Sequence, residues 1–226
     1  MYQLLDQSTN WEPAMPSTPL LHLTVDAQYC SPYAMSAYVA LQEKQLPFAI
    51  STLDLDAGAN HAPAYAVSSL TARVPALRHG DFVLSESTAI TEYLDEVFPG
   101  PALYPPHTQD KARARQLQAW LRSDLLALRQ ERDTLVVFYR PVSSPLSDTA
   151  QRAAHKLLRV AEQVLPAGAD YLFGQWSIVD VDLALMLNRL RLNGDPLPQR
   201  LADYAALQWQ RAAVRRWLEL PRPALK

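Results

Sequence analysis

The chain has 226 residues, of which 49% are hydrophobic and 19% are charged, and its formal net charge is −2 at pH 7. These values are typical of a soluble globular protein with a buried core, and they argue against a nucleic-acid-binding surface, a polybasic membrane patch and a membrane-spanning segment. Its one cysteine, Cys30, excludes an intrachain disulfide, and with no signal-peptide pattern at the N-terminus we expect a cytoplasmic protein.

The first part of the chain alternates predicted strands and helices. Residues 1–18 are polar and aperiodic, so we predict an irregular N-terminal extension, whereas residues 20–25 have the composition of a buried strand. Ser31 and Pro32 open a predicted helix that extends to about residue 44, because serine is a favoured N-cap and proline a favoured first helical residue. Residues 48–53 predict a second strand, followed by a loop with a short helix.

A hairpin and a helix start come next. Apolar runs at residues 74–77 and 82–84 surround His79-Gly80-Asp81, which predicts a tight turn. If the Val74-Pro75 bond is cis, the backbone N–H and C=O of Val74 face outward, where an extended peptide can pair with them. Glu86 and Ser87 open the next predicted helix, whose free N–H groups favour an anion such as a carboxylate. These features predict a site for the backbone and one charged end of a small peptide.

The second part of the chain is predicted to be helical. Prolines 99, 101, 105 and 106 predict a linker over residues 99–108. We expect helices over residues 111–138, 149–165 and 181–192, and one or two more over residues 199–220.

One helix start in this part carries a strong local signal. Ser177 lies three residues before Asp180, which predicts a capping box with Asp in the usual place of Glu. Asp180 and Asp182 do not face each other on a helix, so we do not interpret them as a catalytic acid pair.

The pairs Val74-Pro75 and Glu86-Ser87, with Ala89-Ile90 and Tyr93-Leu94 behind them, resemble the glutathione-binding half of cytosolic glutathione S-transferases of the bacterial, serine type. The resemblance extends from about residue 20 to the end of the chain. It implies a thioredoxin-like α/β domain over residues 19–98 and an all-helical domain over residues 109–226. An ordinary hairpin and a capped helix are the alternative for the local pattern alone.

The resemblance also implies a function. Glutathione is the expected co-substrate: Val74 pairs with its cysteinyl backbone, Pro75 fixes that geometry, Glu86 takes the γ-glutamyl ammonium and Ser87 its carboxylate. The implied activity is attack of the glutathione thiolate on a small hydrophobic electrophile, with reduction of organic hydroperoxides as a further activity. The family also implies a homodimer.

The turn before the first helix carries the expected thiol-activating group. Ser31 matches the activating hydroxyl of a serine-type transferase, although a plain N-cap would use the same atom, and the sequence leaves both roles open. Cys30 is the alternative, because related classes use a cysteine in this turn for thiol–disulfide exchange. It lies one residue before the expected position, and a small buried hydrophobic role is preferred. Tyr29 and Tyr33 are expected to shape the pocket wall. A binding protein of the same fold without chemistry is a third possibility.

The remaining ionisable residues give weaker signals. The five histidines are scattered without metal-ligand spacing, so no metal site is expected. Several arginines lie on the long predicted helix, and such residues usually form the solvent-exposed face of a helix. In this family, however, the helix borders the glutathione pocket, so Arg122, Arg129 and Arg132 are candidates for contact with the ligand.

Overall fold

The computed structural model describes residues 20–225, so the predicted extension over residues 1–18 lies outside the described residues. A four-stranded mixed sheet forms the first part, in the order β2-β1-β3-β4. Strand β1 is parallel to β2 and antiparallel to β3, and β4 is antiparallel to β3. The strands are β1 (Leu21–Asp26), β2 (Phe48–Leu53), β3 (Ala76–His79) and β4 (Phe82–Ser85).

Helices connect and cover this sheet. They are α1 (Pro32–Glu43), α2 (Pro63–Ala66), which follows a 3₁₀ turn (Ala59–His61), and α3 (Ser87–Val97). The element order is therefore β-α-β-α-β-β-α, and the predicted thioredoxin-like layout is confirmed. The order results from local signals, because the parallel strands β1 and β2 need a helical crossover, whereas the antiparallel strands β3 and β4 can share a tight turn.

An all-helical part follows, also as predicted. Its helices are α4 (Thr108–Ser123), α5 (Leu126–Glu131), α6 (Thr134–Phe138), α7 (Asp148–Val164), α8 (Ile178–Arg191), α9 (Gln199–Trp209) and α10 (Ala212–Leu218). Nearly every residue of α8 is buried, so this helix forms the centre of the helical part. Within residues 20–225, no helix has the length and apolar character to cross a membrane.

The prediction of one long helix over residues 111–138 is wrong, because this segment forms α4, α5 and α6. The first break follows α4, where Leu125 adopts the left-handed conformation with φ 61°. Its backbone N–H donates to the carboxylate of Asp124 at 2.7 Å, and the Trp120 indole donates to the same carboxylate at 2.9 Å. The second break lies at Asp133, whose side chain accepts from the N–H of Leu135 at 2.9 Å and caps α6. Side-chain bonds to the backbone therefore compete successfully with continued helix.

The predicted capping box at the start of α8 is confirmed. The Asp180 carboxylate accepts from the backbone N–H of Ser177 at 2.8 Å and from its hydroxyl at 2.9 Å. It also accepts from the N–H of Leu172 at 2.9 Å and from the Tyr204 hydroxyl at 2.8 Å. Burial nevertheless raises the pKa of Asp180 above its ordinary value. One buried carboxyl group thus joins the start of α8 to a preceding loop and to α9.

Helix α1 joins the sheet to the helical part. It packs against β1 and α3 on one side and against α8 and α10 on the other. Tyr38 of α1 contacts Trp217 of α10, with ring centroids 5.2 Å apart. At the end of α1, Glu43 forms a bidentate ion pair with Arg211, at 2.6 and 2.7 Å. Helix α1 is therefore held at the boundary between the two parts of the molecule.

Candidate functional site

The turn between β1 and α1 is held by Asp26, the last residue of β1. Its buried carboxylate accepts from the backbone N–H of Cys30 at 2.6 Å and of Ser31 at 3.0 Å. Burial raises the pKa of Asp26, although these two hydrogen bonds oppose the shift. The Ser31 hydroxyl oxygen accepts from the N–H of Ala34 at 3.2 Å, which is the predicted N-cap bond. That bond uses a lone pair of the oxygen, so the hydroxyl proton remains able to donate to another acceptor.

Cys30 lies in a different environment from its neighbour. The residue is 7% exposed, and its thiol donates to the backbone carbonyl of Gln28 at 3.4 Å. Burial, with the nearby charge of Asp26, raises the pKa of the Cys30 thiol to about 12. A thiol must ionise to act as a nucleophile, and this environment opposes ionisation at neutral pH.

A cavity of about 160 Å³ lies where β3, α3 and the start of α1 meet. The predicted glutathione-binding residues Val74, Pro75, Glu86 and Ser87 all line it. The Val74-Pro75 bond is cis, the geometry expected to turn the backbone N–H and C=O of Val74 outward. Three further residues complete the lining, namely Tyr33, Arg73 and Arg122.

Glu86 and Ser87 form the start of α3, as predicted. Glu86 is the N-cap and has φ 71°, a conformation that non-glycine residues adopt rarely and that is frequent at functional sites. Its side chain is exposed, and within residues 20–225 its carboxylate forms no hydrogen bond or ion pair. Ser87 is buried, and its hydroxyl accepts from Arg122 through Nε at 3.3 Å and Nη2 at 3.2 Å. The site therefore presents an uncommitted carboxylate beside a positively charged donor.

The three candidate arginines have separate environments. Arg122 binds Ser87, and it also forms an ion pair with Asp182 at 3.1 Å. Arg129 donates to the Tyr33 hydroxyl at 3.1 Å and does not line the cavity of about 160 Å³. Arg132 is 1% exposed and donates to Asp195 at 2.6 Å, outside that cavity. The structure therefore brings Arg122, and neither of the other two, to the predicted site.

A second, larger cavity of about 520 Å³ also borders the start of α1. Ser31 and Cys30 line this cavity, whereas Tyr33 lines the smaller one. Ser31, the predicted thiol-activating residue, therefore lines a different cavity from the four predicted glutathione-binding residues. The remaining lining residues are Asp26, Gln28, Leu55, Asp56, Thr134, Leu135, Arg140 and Leu225.

Sequence reasoning missed two residues of this site. Arg73 lines the smaller cavity, and its position directly before Val74-Pro75 was the available signal. Asp26 holds the turn through backbone donors four and five residues away. Its signal was weaker, because an acidic residue at the end of a strand has many roles. Of the two tyrosines expected in the pocket wall, Tyr33 lines the smaller cavity, whereas Tyr29 packs against Trp217 and lines neither cavity.

Two family models match the chain. Residues 27–102 match the N-terminal domain of glutathione S-transferases, and residues 107–222 match the C-terminal domain of glutathione S-transferases. The chain belongs to the glutathione S-transferase family. The four residues expected to bind glutathione all lie within the part that matches the N-terminal model.

Curated relatives include other glutathione S-transferases. The chain is 30% identical over 168 residues to glutathione S-transferase L2, chloroplastic, of Arabidopsis thaliana, a match that covers 73% of this chain and 52% of the plant protein. It is 32% identical over 148 residues to glutathione S-transferase theta-1 of Bos taurus, covering 63% of this chain and 60% of the bovine protein. The matches thus span a little more than half of these two relatives.

Solved structures match over more of their length. A glutathione transferase homologue from Burkholderia, with bound glutathione, is 44% identical, covers 88% of this chain and 96% of that chain, and superposes with a TM-score of 0.73. A theta-class glutathione S-transferase from Xanthomonas axonopodis pv. citri, also with glutathione bound, covers 90% of this chain and 99% of that chain. At 21% identity and a TM-score of 0.72, this second likeness concerns the fold.

Proposed function

We propose that this member of the glutathione S-transferase family binds glutathione in the cavity of about 160 Å³ and activates its thiol. The observation that carries the proposal is the charge pattern of this cavity, where the free carboxylate of Glu86 faces a space shared with Arg73 and Arg122. Glutathione has one ammonium group and two carboxylates. The Glu86 carboxylate suits the ammonium group, and Arg73 and Arg122, the latter also paired with Asp182, suit the carboxylates.

Each group of the peptide has a proposed partner. Glu86 binds the γ-glutamyl ammonium, and the Ser87 hydroxyl, already held by Arg122, binds the carboxylate beside it. The backbone of Val74 pairs with the cysteinyl residue, and Pro75 holds Val74 in that orientation. Arg73 lies at the rim, where it neutralises the glycyl carboxylate. This arrangement directs the thiol toward the start of α1 and Ser31.

Ser31 is the proposed catalytic residue. Its hydroxyl proton donates to the glutathione sulfur and stabilises the thiolate, while the oxygen continues to cap α1. The thiol proton leaves to solvent. The sulfur then forms a bond to the electrophilic carbon of the second substrate, and the leaving group departs with its electron pair.

The second substrate is proposed to occupy the cavity of about 520 Å³ beside Ser31. Leu55, Leu135 and Leu225 give this cavity an apolar component, which suits a small hydrophobic electrophile. An organic hydroperoxide has the same mixed character, and its reduction to an alcohol and water would consume two molecules of glutathione and yield glutathione disulfide.

The two alternative functions are thiol–disulfide exchange and glutathione binding without catalysis. A thiol–disulfide oxidoreductase would need Cys30 as a thiolate, and the pKa of about 12 together with 7% exposure opposes this. A binding protein without chemistry would hold glutathione and show no turnover. The uncommitted Glu86 supports binding in either case, so turnover separates the two functions.

The test compares glutathione conjugation across pH for the parent, Ser31→Ala, Ser31→Thr and Cys30→Ser. Loss of the Ser31 hydroxyl should lower the rate about 10-fold to 1,000-fold, the range for losing one charge-stabilising donor. It should change glutathione affinity much less, because the bond forms mainly with the thiolate. Ser31→Thr keeps a hydroxyl and should retain activity, and Cys30→Ser should conjugate nearly as fast as the parent.

Circular dichroism of each variant serves as the folding control. If Cys30→Ser were inactive and Ser31→Ala active, Cys30 would be the catalytic residue and the reaction would be thiol–disulfide exchange. If calorimetry detects glutathione binding but no electrophile or hydroperoxide is turned over, the protein is a glutathione-binding protein without catalytic activity.

We also propose that the protein is a cytoplasmic homodimer, as the family resemblance implies. An apolar pair after α2 supports an interface, because Val67 is 75% exposed and Leu70 is 95% exposed. Sedimentation equilibrium measures the assembly directly, and a monomer at micromolar concentration would contradict it.

A further inference from the structure

A third, very small cavity shares Tyr33 and Arg122 with the cavity proposed for glutathione, but none of the four predicted glutathione-binding residues lines it. Its volume is about 20 Å³, which is room for about one water-sized particle. Arg122, Arg129, Arg189 and Asp182 are the charged residues that line it, so positive charges outnumber negative ones by three to one. The other lining residues are Pro32, Tyr33, Leu121, Leu185 and Met186.

Arg189 is a buried cation without an acidic partner in the part of the chain that the structure describes. It is 3% exposed, and its Nη1 donates to the backbone carbonyl of Arg132 at 2.6 Å. Its Nε is buried and has no hydrogen-bond partner among residues 20–225, and no carboxylate of that part of the chain lies within ion-pair distance. Burial lowers the pKa of Arg189 to about 10, which leaves the side chain charged at neutral pH. A buried charge with an unused donor is costly unless an opposite charge compensates it.

Arg129 adds a second incompletely bonded donor. Its Nη1 donates to the Tyr33 hydroxyl at 3.1 Å, but its Nε is buried and has no partner in the described part of the chain. The nearby positive charge of Arg129 also contributes to the lowered pKa of Arg189. Two cations therefore border one small space, and both retain an unused N–H group.

The carboxylates of this neighbourhood are already engaged. Asp182 accepts from Arg122 at 3.1 Å and from the amide of Gln118 at 2.7 Å. Asp133 attracts Arg189 but is exposed, and it accepts the N–H of Leu135 as the cap of α6. After Arg122 and Asp182 are paired, residues 20–225 offer no buried counter-charge to Arg129 and Arg189.

We propose that this cavity binds a single monatomic anion, a halide, which is chloride under physiological conditions. The positive charges and unused donors select an anion, and a volume of about 20 Å³ excludes sulfate, phosphate and a carboxylate group. The ion accepts from Arg129 and Arg189 and neutralises part of their charge. This site does not depend on the proposed catalytic function.

Bromide makes the site visible, because it is chemically similar to chloride and scatters anomalously. Crystals of the parent protein transferred from chloride to bromide should show an anomalous peak in the cavity, within hydrogen-bond distance of both arginines. A cavity that holds water alone, or bromide found at surface lysines as an adventitious ion only, would overturn the proposal.

Thermal unfolding tests the same site in solution. The midpoint in sodium chloride should exceed that in sodium gluconate of equal ionic strength and should rise with chloride concentration, because a ligand of the folded state stabilises it. Arg189→Met and Arg129→Met should abolish the difference between the salts. Arg159→Met removes an exposed arginine of α7 and should keep the difference.

Equal midpoints of the parent in the two salts would overturn the proposal, and so would a chloride effect that persists in both cavity variants. If Arg189→Met does not fold, Arg129→Met and the bromide crystals of the parent still decide the question. Glutathione turnover is not the readout, so failure of this site and failure of the proposed catalysis are distinguishable.

Discussion

The carboxylate of Glu86 is exposed at the start of α3 and forms no bond within residues 20–225, and a rare backbone conformation holds it there. Glu86→Gln keeps the size of the side chain and removes the charge. We expect glutathione binding to weaken by about 1.5–3 kcal/mol, the range for a hydrogen bond to a charged group. Calorimetric titration of parent and variant at equal salt concentration measures this difference.

The matched control for this prediction is Glu96→Gln. Glu96 lies on the same helix and is 70% exposed at the side chain, but it faces Arg115 rather than the cavity. Its replacement should leave glutathione affinity unchanged. Equal affinities for parent and Glu86→Gln would mean that the ligand binds elsewhere or is not glutathione.

Cys30 gives a second residue-scale prediction, on the pH dependence of its thiol. Its pKa is about 12 in the folded protein against an ordinary value of 9.0, because burial and the charge of Asp26 disfavour the thiolate. Between these two pH values the unfolded chain ionises and the folded chain does not. Iodoacetamide should therefore label Cys30 slowly in the native protein from pH 7 to about 10, and quickly in urea. Rapid native labelling at pH 8 would contradict the buried, protonated thiol.

This raised pKa also affects stability. Because the folded state resists loss of the thiol proton, the contribution of Cys30 to stability is fully present below pH 9 and declines as the pH rises toward about 12. Cys30→Ser removes the thiol and therefore this loss of stability at alkaline pH. Urea unfolding of both proteins at pH 8 and pH 10 should show a smaller decrease for the variant, and equal decreases would contradict the assignment.

At the scale of an element, the capping box of α8 gives a prediction about stability. Asp180 is fully buried and accepts from two backbone N–H groups and two hydroxyls, on Ser177, Leu172 and Tyr204. Ser177→Ala should cost about 1–2 kcal/mol, as expected for loss of a cap. Asp180→Ala should cost more, because several buried donors lose their acceptor, at about 1–3 kcal/mol for each one. Urea unfolding measures both.

Thr108→Ala is the control for the capping prediction, since Thr108 is exposed at the first residue of α4. Its replacement should stay within about 0.5 kcal/mol of the parent, as expected for surface positions. If Asp180→Ala were no more destabilising than Ser177→Ala, the bonds to Leu172 and Tyr204 would contribute little to the native state.

Elements defined by local chemistry could be predicted from the sequence, and those defined by distant contacts could not. The hairpin turn at Gly80, the N-cap at Ser31 and the box at Ser177 depend on a few neighbouring residues, and all were predicted. The end of α4 depends on Asp124, which bonds Trp120 and also Lys156 of α7. No glycine or proline marks this break, since Leu125 itself adopts the left-handed conformation. The sequence pattern there is that of a continuous helix.

The candidate site shows the same division. Val74, Pro75, Glu86 and Ser87 belong to two short motifs and were predicted together. Arg122 was one of three candidate arginines, and its contact with Ser87 and its place in the cavity lining distinguish it in the structure. That contact joins residues 35 positions apart in sequence, and helical periodicity carries no information about it.

At the scale of the whole molecule, the contact of α1 with α10 predicts cooperative unfolding. Trp217 is fully buried and packs against Tyr38 of α1 and against Tyr29 of the preceding turn, at 5.2 and 5.7 Å between ring centroids. Trp217→Ala should destabilise the protein by about 3–5 kcal/mol, as for other aromatic truncations in a core. Trp217→Phe keeps an aromatic ring and should cost less. Urea unfolding followed by far-UV circular dichroism measures the change.

The same variants test whether the two parts unfold together. Loss of helical signal and loss of glutathione binding should occur at the same urea concentration in the parent, because α1 contributes to both the sheet layer and the helical part. Binding lost well before the helical signal would show that the sheet part opens independently.

The anchoring of the turn by Asp26 has a consequence for how this scaffold can change during evolution. Asp26 binds the main-chain N–H groups of positions 30 and 31, and it makes no bond to their side chains. These two bonds therefore hold the turn whichever side chains the two positions carry, and the Ser31 hydroxyl adds only the cap of α1. A new reactive group can enter by one substitution while the backbone geometry is inherited unchanged, so reaction chemistry and architecture can diverge separately in descendants of this chain.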